Sequence, residues 1–336
     1  MSTLEMFDGA AQVKKPRVAK SYVPPALGRD PFKITDRTAL SLSGGRTSAY
    51  MLHRVLESNG GLPECAQVMF ANTGLEHEAT LEFVATIGQR WGVPITWVEY
   101  RKEAPGFTVV DFDSASRNGE PYAALIRDHR FLPNPLTRFC TTELKIRAMH
   151  KRLRALGWND GDDGWDQMIG IRADEPCRLA KIRARGTSSE SSKEFMCMPL
   201  ADADVTKGDV GAFWKQQPFD LKLPNQNGVT KHGNCLLCFL KPGAQVLSLI
   251  REEPARAVWW MEQEKLAKTE FVDRVSGDGW RFRTDRPSYA QMHAFALAQA
   301  DLFQTADPSK TTDELTAKLM ADSGPGVDCY CGNDDA

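Results

Sequence analysis

The 336-residue chain has no uninterrupted apolar run of the length, roughly 18 residues or more, that a membrane-spanning helix needs. It also lacks the apolar core of a secretory leader, because Lys14, Lys15, Arg17 and Lys20 break up its first residues. Both absences lead us to expect a cytoplasmic protein with no membrane partner. No charge of one sign dominates: 42 basic against 44 acidic residues leave a formal net charge of −2, so no global field draws nucleic acid to the chain. There is no internal repeat. Cysteine, by contrast, is not scarce. In a reducing compartment the eight cysteines are not a disulfide framework; they are core residues, metal ligands or reactive thiols.

The chain is long enough for one large domain or two modest ones. Residues 1 to 36, with scattered Pro and Lys and no period, read as a flexible arm. Short apolar strands follow at Ala39–Leu42, Gln67–Phe70 and Ile95–Val98, alternating with helical periodicity over Ala49–Glu57 and Glu78–Trp91. This β-α-β-α-β order predicts an α/β fold, a doubly wound and mainly parallel sheet with crossover helices. A looser stretch over 101–137 contains a short helix at Tyr122–Asp128. A basic helix over Thr142–Leu156 and a strand at Gln167–Ile171 come next. Arg185–Glu194 reads as polar and mobile, and Asp204–Gln217 as a helix. Beyond Pro242 a Trp-rich helical region runs to about residue 306, followed by a tail over 307–336. The α/β domain with its Cys-rich site is thus expected over 37–242, and the helical region over 243–306.

Ligands of parallel sheets bind beyond the carboxyl ends of the strands. Two turns fall there: Ser43-Gly44-Gly45-Arg46-Thr47-Ser48 and Asn72-Thr73-Gly74. Glycines let backbone N–H groups close on an oxyanion, the helix start adds its positive dipole end, and Ser43 and Ser48 add hydroxyls. A Walker loop would need Lys after its second conserved Gly, which is missing. The bland alternative is a plain strand-to-helix turn.

The first turn resembles the pyrophosphate loop (PP-loop) of the adenine-nucleotide α-hydrolase superfamily. Further motifs, in order, resemble its phosphoadenosine phosphosulfate (PAPS) reductase branch: Asn72-Thr73-Gly74, Arg138-Phe139-Cys140-Thr141-Thr142-Glu143-Leu144-Lys145, Gly170-Ile171-Arg172 and Cys235-Leu236-Leu237-Cys238. The resemblance implies that Ser43, Gly44, Gly45, Arg46, Thr47 and Ser48 cradle the phosphates of ATP or PAPS. It implies that Asn72, Thr73 and Gly74 lie near the α-phosphate or a bound Mg2+, and that Lys145 and Arg172 neutralise phosphate or leaving-group charge. Asn72 shaping only its turn, and Arg172 pairing with Asp174 or Glu175, are the competing structural readings.

Cys-x-x-Cys alone fits zinc, iron–sulfur or redox chemistry. In the family that Cys-x-x-Cys and a tandem Cys pair hold a [4Fe–4S] cluster. Here Cys140, Cys235 and Cys238 match, while Thr141 stands at the fourth place, so three thiolates would leave one iron open or recruit Cys329, Cys331, Cys197, Cys177 or His232. Zinc is the alternative, and no metal the third. Cys65 reads as a core residue. The reductases' C-terminal Glu-Cys-Gly-Leu/Ile-His is not present; only Cys331-Gly332 overlaps it, which leaves Cys331 as a nucleophile, a ligand or an ordinary tail residue. The expected function is ATP cleavage between α- and β-phosphates coupled to sulfur chemistry, with a sulfur donor protein or thiol reductant as partner. True sulfonucleotide reduction and a non-catalytic nucleotide- or nucleic-acid-binding regulator are the rivals. Basic stretches at Lys145–Arg154 and Arg178–Arg185 keep nucleic acid open as a partner.

Overall fold

The computed structural model describes residues 28–158, 164–226 and 229–302. Cys329 and Cys331, and the arm up to residue 27, lie outside the described residues. A six-stranded sheet has the order β4-β3-β2-β1-β5-β6. Its strands are β1 (Thr38–Ser41), β2 (Ala66–Ala71), β3 (Ile95–Tyr100), β4 (Phe107–Val110), β5 (Trp165–Met168) and β6 (Glu194–Cys197). All neighbours pair in parallel except β3 and β4, which are antiparallel. The chain builds outward from β1 to β3, then returns to place β5 on the other side of β1. The reversal at β1/β5 is the point where such sheets open a crevice.

Both faces of the sheet are covered, as the apolar strands require. Along β2, Val68 and Phe70 face one core while Met69 and Ala71 face another, the alternation a strand imposes. The first core receives α1 (Arg46–Asn59), α2 (Glu78–Trp91) and α8 (Lys207–Gln216). The second receives Met149 and Leu153 of α5 (Ala148–Ala155). Between these helices lie α3 (Glu120–His129), α4 (Phe139–Thr141), α6 (Pro176–Arg185) and α7 (Pro199–Asp202). A further core joins α3 to α9 (Gly243–Glu252), α10 (Ala257–Glu270) and α11 (Tyr289–Leu302), with Trp260, Phe282 and Tyr289 at its centre.

The mainly parallel, doubly wound sheet and the helical C-terminal region match the expectation. Several boundaries differ. Helix α1 begins at Arg46, so Arg46, Thr47 and Ser48 are its first turn rather than loop. Strand β4 and helix α6 were not expected, because each carries charged or polar residues within a short apolar pattern. The stretch read as mobile is tied to the sheet: Ser188 N–H donates to the Glu194 carbonyl, and Met196 N–H to that of Gly186. Phe32 and Ile34 are buried against the α1/α2 core, so the arm does not extend to residue 36. The helix expected over Thr142–Leu156 starts with a π-helical stretch, Thr142–Arg147, between α4 and α5.

Candidate functional site

A cleft of about 550 Å3, counted out to its open mouth, lies at the β1/β5 reversal. Ser41, Ser43 and Ser48 line one side, Gly170 and Ile171 another, and Lys145 and Met149 a third. The loop is pre-shaped by its own serines. Ser43 N–H donates to Ser48 Oγ (3.1 Å), the two hydroxyls meet at 2.8 Å, and Ser48 Oγ reaches the Gly45 carbonyl at 3.1 Å. Gly44 has φ +87°, and a Cβ there would stand 2.5 Å from Thr80 Cγ2. Only glycine takes that backbone without strain. At Gly170 a Cβ would stand 3.0 Å from Ser48 Cα, so this glycine lets the end of β5 pack directly on the loop.

The remaining loop-motif residues divide. Arg46 turns away from the cleft: its guanidinium grips Asp220 at 2.7 and 2.9 Å and also donates to the Leu221 carbonyl and Thr230 Oγ1. These bonds engage the guanidinium that was expected to cradle phosphate, and they fasten Asp220, Leu221 and Thr230 to α1. Thr47 Oγ1 accepts from Arg172 at 3.2 Å, and Arg172 also donates to Asp174 at 2.8 Å. Arg172 is buried and is not among the residues lining the cleft, though its neighbours Gly170 and Ile171 are. Asn72 is fully buried. Its amide donates to Glu99 Oε1 (2.7 Å) and the Ser116 carbonyl (2.8 Å), and its oxygen accepts from Gly74 N–H. It shapes its turn and braces the Ser116 loop.

Lys145 is where the π-helical stretch matters. The widened turn buries Leu144 and Ile146 while Lys145 lines the cleft. Its Nζ lies 4.0 Å from Oε1 of Glu76. Glu76, which the motifs did not single out, accepts from Thr73 N–H (2.9 Å) and Thr73 Oγ–H (2.8 Å). Cys235 Sγ in turn stands 3.3 Å from Thr73 Oγ1 and 3.9 Å from Glu76 Oε1. A sequence signal for Glu76 was present: Thr-x-x-Glu before a helical run is the spacing at which the two side chains satisfy a turn.

The three expected thiols converge behind this lysine. Cys140, Cys235 and Cys238 all pack against the C-terminal core, and all three raise the pKa of Tyr122, after burial, which is the largest cause. The buried Tyr122 hydroxyl meets the Cys140 side chain. Burial also pushes the Cys235 thiol up to about 12, with Lys145 opposing and Glu76 adding to the rise. The pair's turn is strained, with Leu237 at φ +53° and Asn234 at φ +58°, and is held by Leu236 N–H on the Leu75 carbonyl (2.7 Å) and by the Tyr289 hydroxyl on the Leu237 carbonyl. Three thiols about one buried tyrosine are the side chains that a sulfur-ligated group would use, with Thr141 at the fourth place. Among the described residues, no group of three or more His, Cys, Asp or Glu side chains is placed to hold a metal ion. Cys65 and Cys197 pack against the α1/α2 core instead, and Cys177 is exposed on α6. His77 and His232 meet edge to face at 5.7 Å beside the turn, and burial lowers the pKa of both.

The fold and site define an α/β protein with a glycine- and serine-lined cleft at its sheet reversal and three thiols next to it. Known proteins make the class specific. The family model of the phosphoadenosine phosphosulfate reductase domain matches residues 37–221, and the chain belongs to that family. Cys235 and Cys238 lie beyond the matched span. The nin region protein ORF290 of Escherichia phage lambda, itself uncharacterised, is 30% identical over 222 residues, which cover 64% of this chain and 69% of that protein. A crystal structure of PAPS reductase from Candida auris, in complex with phosphate, aligns over 56% of this chain and 80% of that one, at 13% identity and a TM-score of 0.36. No helix among the described residues is long and apolar enough to cross a membrane.

Proposed function

We propose that the protein cleaves ATP between its α- and β-phosphates and uses the resulting adenylate to drive sulfur chemistry at the thiol cluster. The observation that carries this reading is the shared wall: Lys145 lines the phosphate cleft and stands 4.0 Å from the carboxylate that also contacts Cys235. Phosphate cradle and thiols are therefore one site. The intact Ser43-Gly44-Gly45 turn and the Ser48 hydroxyl favour a terminal pyrophosphate in the cradle, with Mg2+ as its counter-ion. A substrate oxygen attacks the α-phosphorus, the bond from that phosphorus to the bridging oxygen breaks, and pyrophosphate leaves into the Ser43–Ser48 turn at the start of α1. Lys145 offsets the charge that develops on the leaving oxygens. A sulfur nucleophile from a donor protein then displaces the adenylate. A [4Fe–4S] cluster held by Cys140, Cys235 and Cys238 would supply an iron open to that sulfur.

The family favours a second reading, reduction of PAPS to sulfite by a cysteine thiolate, for which Cys331 is the candidate. Anaerobically purified protein incubated with Mg2+ and either ATP or PAPS separates the two. Pyrophosphate from ATP, lost in Ser43→Ala, is the expected result. Sulfite from PAPS plus a thiol reductant would establish the reductase instead. Neither product would leave a nucleotide-binding regulator.

A further inference from the structure

Glu76 is a carboxylate with 7% exposure, set in neither turn motif nor the cysteine motifs. A charge buried so deeply needs partners to offset its lost hydration. Its partners come from three places. Thr73 belongs to the turn after β2, Lys145 to the π-helical stretch lining the phosphate cleft, and Cys235 to the C-terminal thiol pair. The geometry points to Glu76 as a positioning residue that holds Lys145 at the cleft wall and links phosphate occupancy to the thiol turn. This inference rests on the nucleotide reading of the cleft.

The physical argument is competition. With the cleft empty, Lys145 answers to the Glu76 carboxylate. When phosphates enter, they share the same ammonium, and the carboxylate keeps it from collapsing onto them. Glu76 therefore weakens ground-state binding while fixing Lys145 where leaving-group charge appears. Interactions that act in the transition state raise turnover, whereas those made equally in the ground state only tighten binding. A residue that merely shaped the Thr73 turn would behave differently. In Glu76→Gln the amide oxygen still accepts from Thr73, so the turn keeps its acceptor and only the charge is lost.

The test measures ATP affinity by calorimetry on metal-free protein, and the rate of pyrophosphate release at saturating ATP. Glu76→Gln is expected to bind ATP roughly three- to tenfold more tightly and to turn over at least about tenfold more slowly. Glu76→Asp, which keeps the charge, should recover part of the turnover. In a Lys145→Met background the Glu76→Gln change should no longer tighten ATP binding, because the two residues then share no interaction. Unchanged or weaker affinity in Glu76→Gln, or tighter affinity with unchanged turnover, would overturn the inference while leaving the cleft intact. If the wild-type protein binds no ATP, the nucleotide reading falls first and this inference falls with it.

Discussion

Gly44 shows how narrowly the phosphate cradle is specified at a single position. Its left-handed φ and the Thr80 methyl 2.5 Å from an added Cβ act together, and Thr80 is itself buried on α2. Gly44→Ala should therefore cost about 2 kcal/mol in urea unfolding, from backbone strain plus displacement of a stiff β-branched neighbour. The cradle was the most legible part of the sequence because its chemistry demands glycines and small hydroxyls next to a strand. The partners of Arg46 were not legible. An arginine inside a phosphate motif reads as a phosphate ligand, and only the fold reveals Asp220, distant in sequence, as its partner. Glu76 was missed for the opposite reason: its Thr-x-x-Glu spacing marks only a local turn, and the lysine and thiol around it come from distant parts of the chain.

At the scale of elements, α1 carries the cradle at its start and a clasp on its flank. The Arg46 guanidinium is buried, whereas Asp220 is 42% exposed, so their ion pair is partly screened. Asp220→Ala should still destabilise the fold by roughly 1–3 kcal/mol, since it strands a buried cation with only carbonyl and hydroxyl acceptors. Thermal unfolding of the variant against wild type measures this. Strong periodicity made α1, α2 and the four inner strands readable, and α2 has the bounds its apolar spacing indicates. Short elements with mixed polarity were not readable. Strand β4 buries Phe107 but exposes Val109, and α6 devotes its surface to arginines and a lysine. The π-helical stretch was also invisible, because its sequence has ordinary helical propensity and the extra residue per turn comes from tertiary packing.

Across the whole molecule, the C-terminal helices form their own core and brace the thiol turn. Glu264 joins them: its carboxylate accepts from the backbone N–H groups of Phe282 and Tyr289. Burial lifts its pKa to about 7, against 4.5 for an exposed glutamate, with Arg281 and Arg286 opposing the rise. Below pH 4.5 both folded and unfolded chains hold the proton; between 4.5 and 7 the folded chain alone holds it. Stability from this group is thus complete in acid and is lost as pH rises to about 7, on the order of 3 kcal/mol in all. Urea unfolding at pH 5 and pH 7.5 should show that decline in wild type and a flatter profile in Glu264→Gln. The clasp on α1 has a kinetic side as well. Arg46 is bonded to both ends of the stretch from Asp220 to Thr230, which leads straight into the thiol turn. Local opening of the cradle must release that stretch too. The amides of residues 42–48, 221–226 and 229–235 should then exchange with solvent deuterium as one cooperative unit, so that the two halves of the site fray together and re-form together.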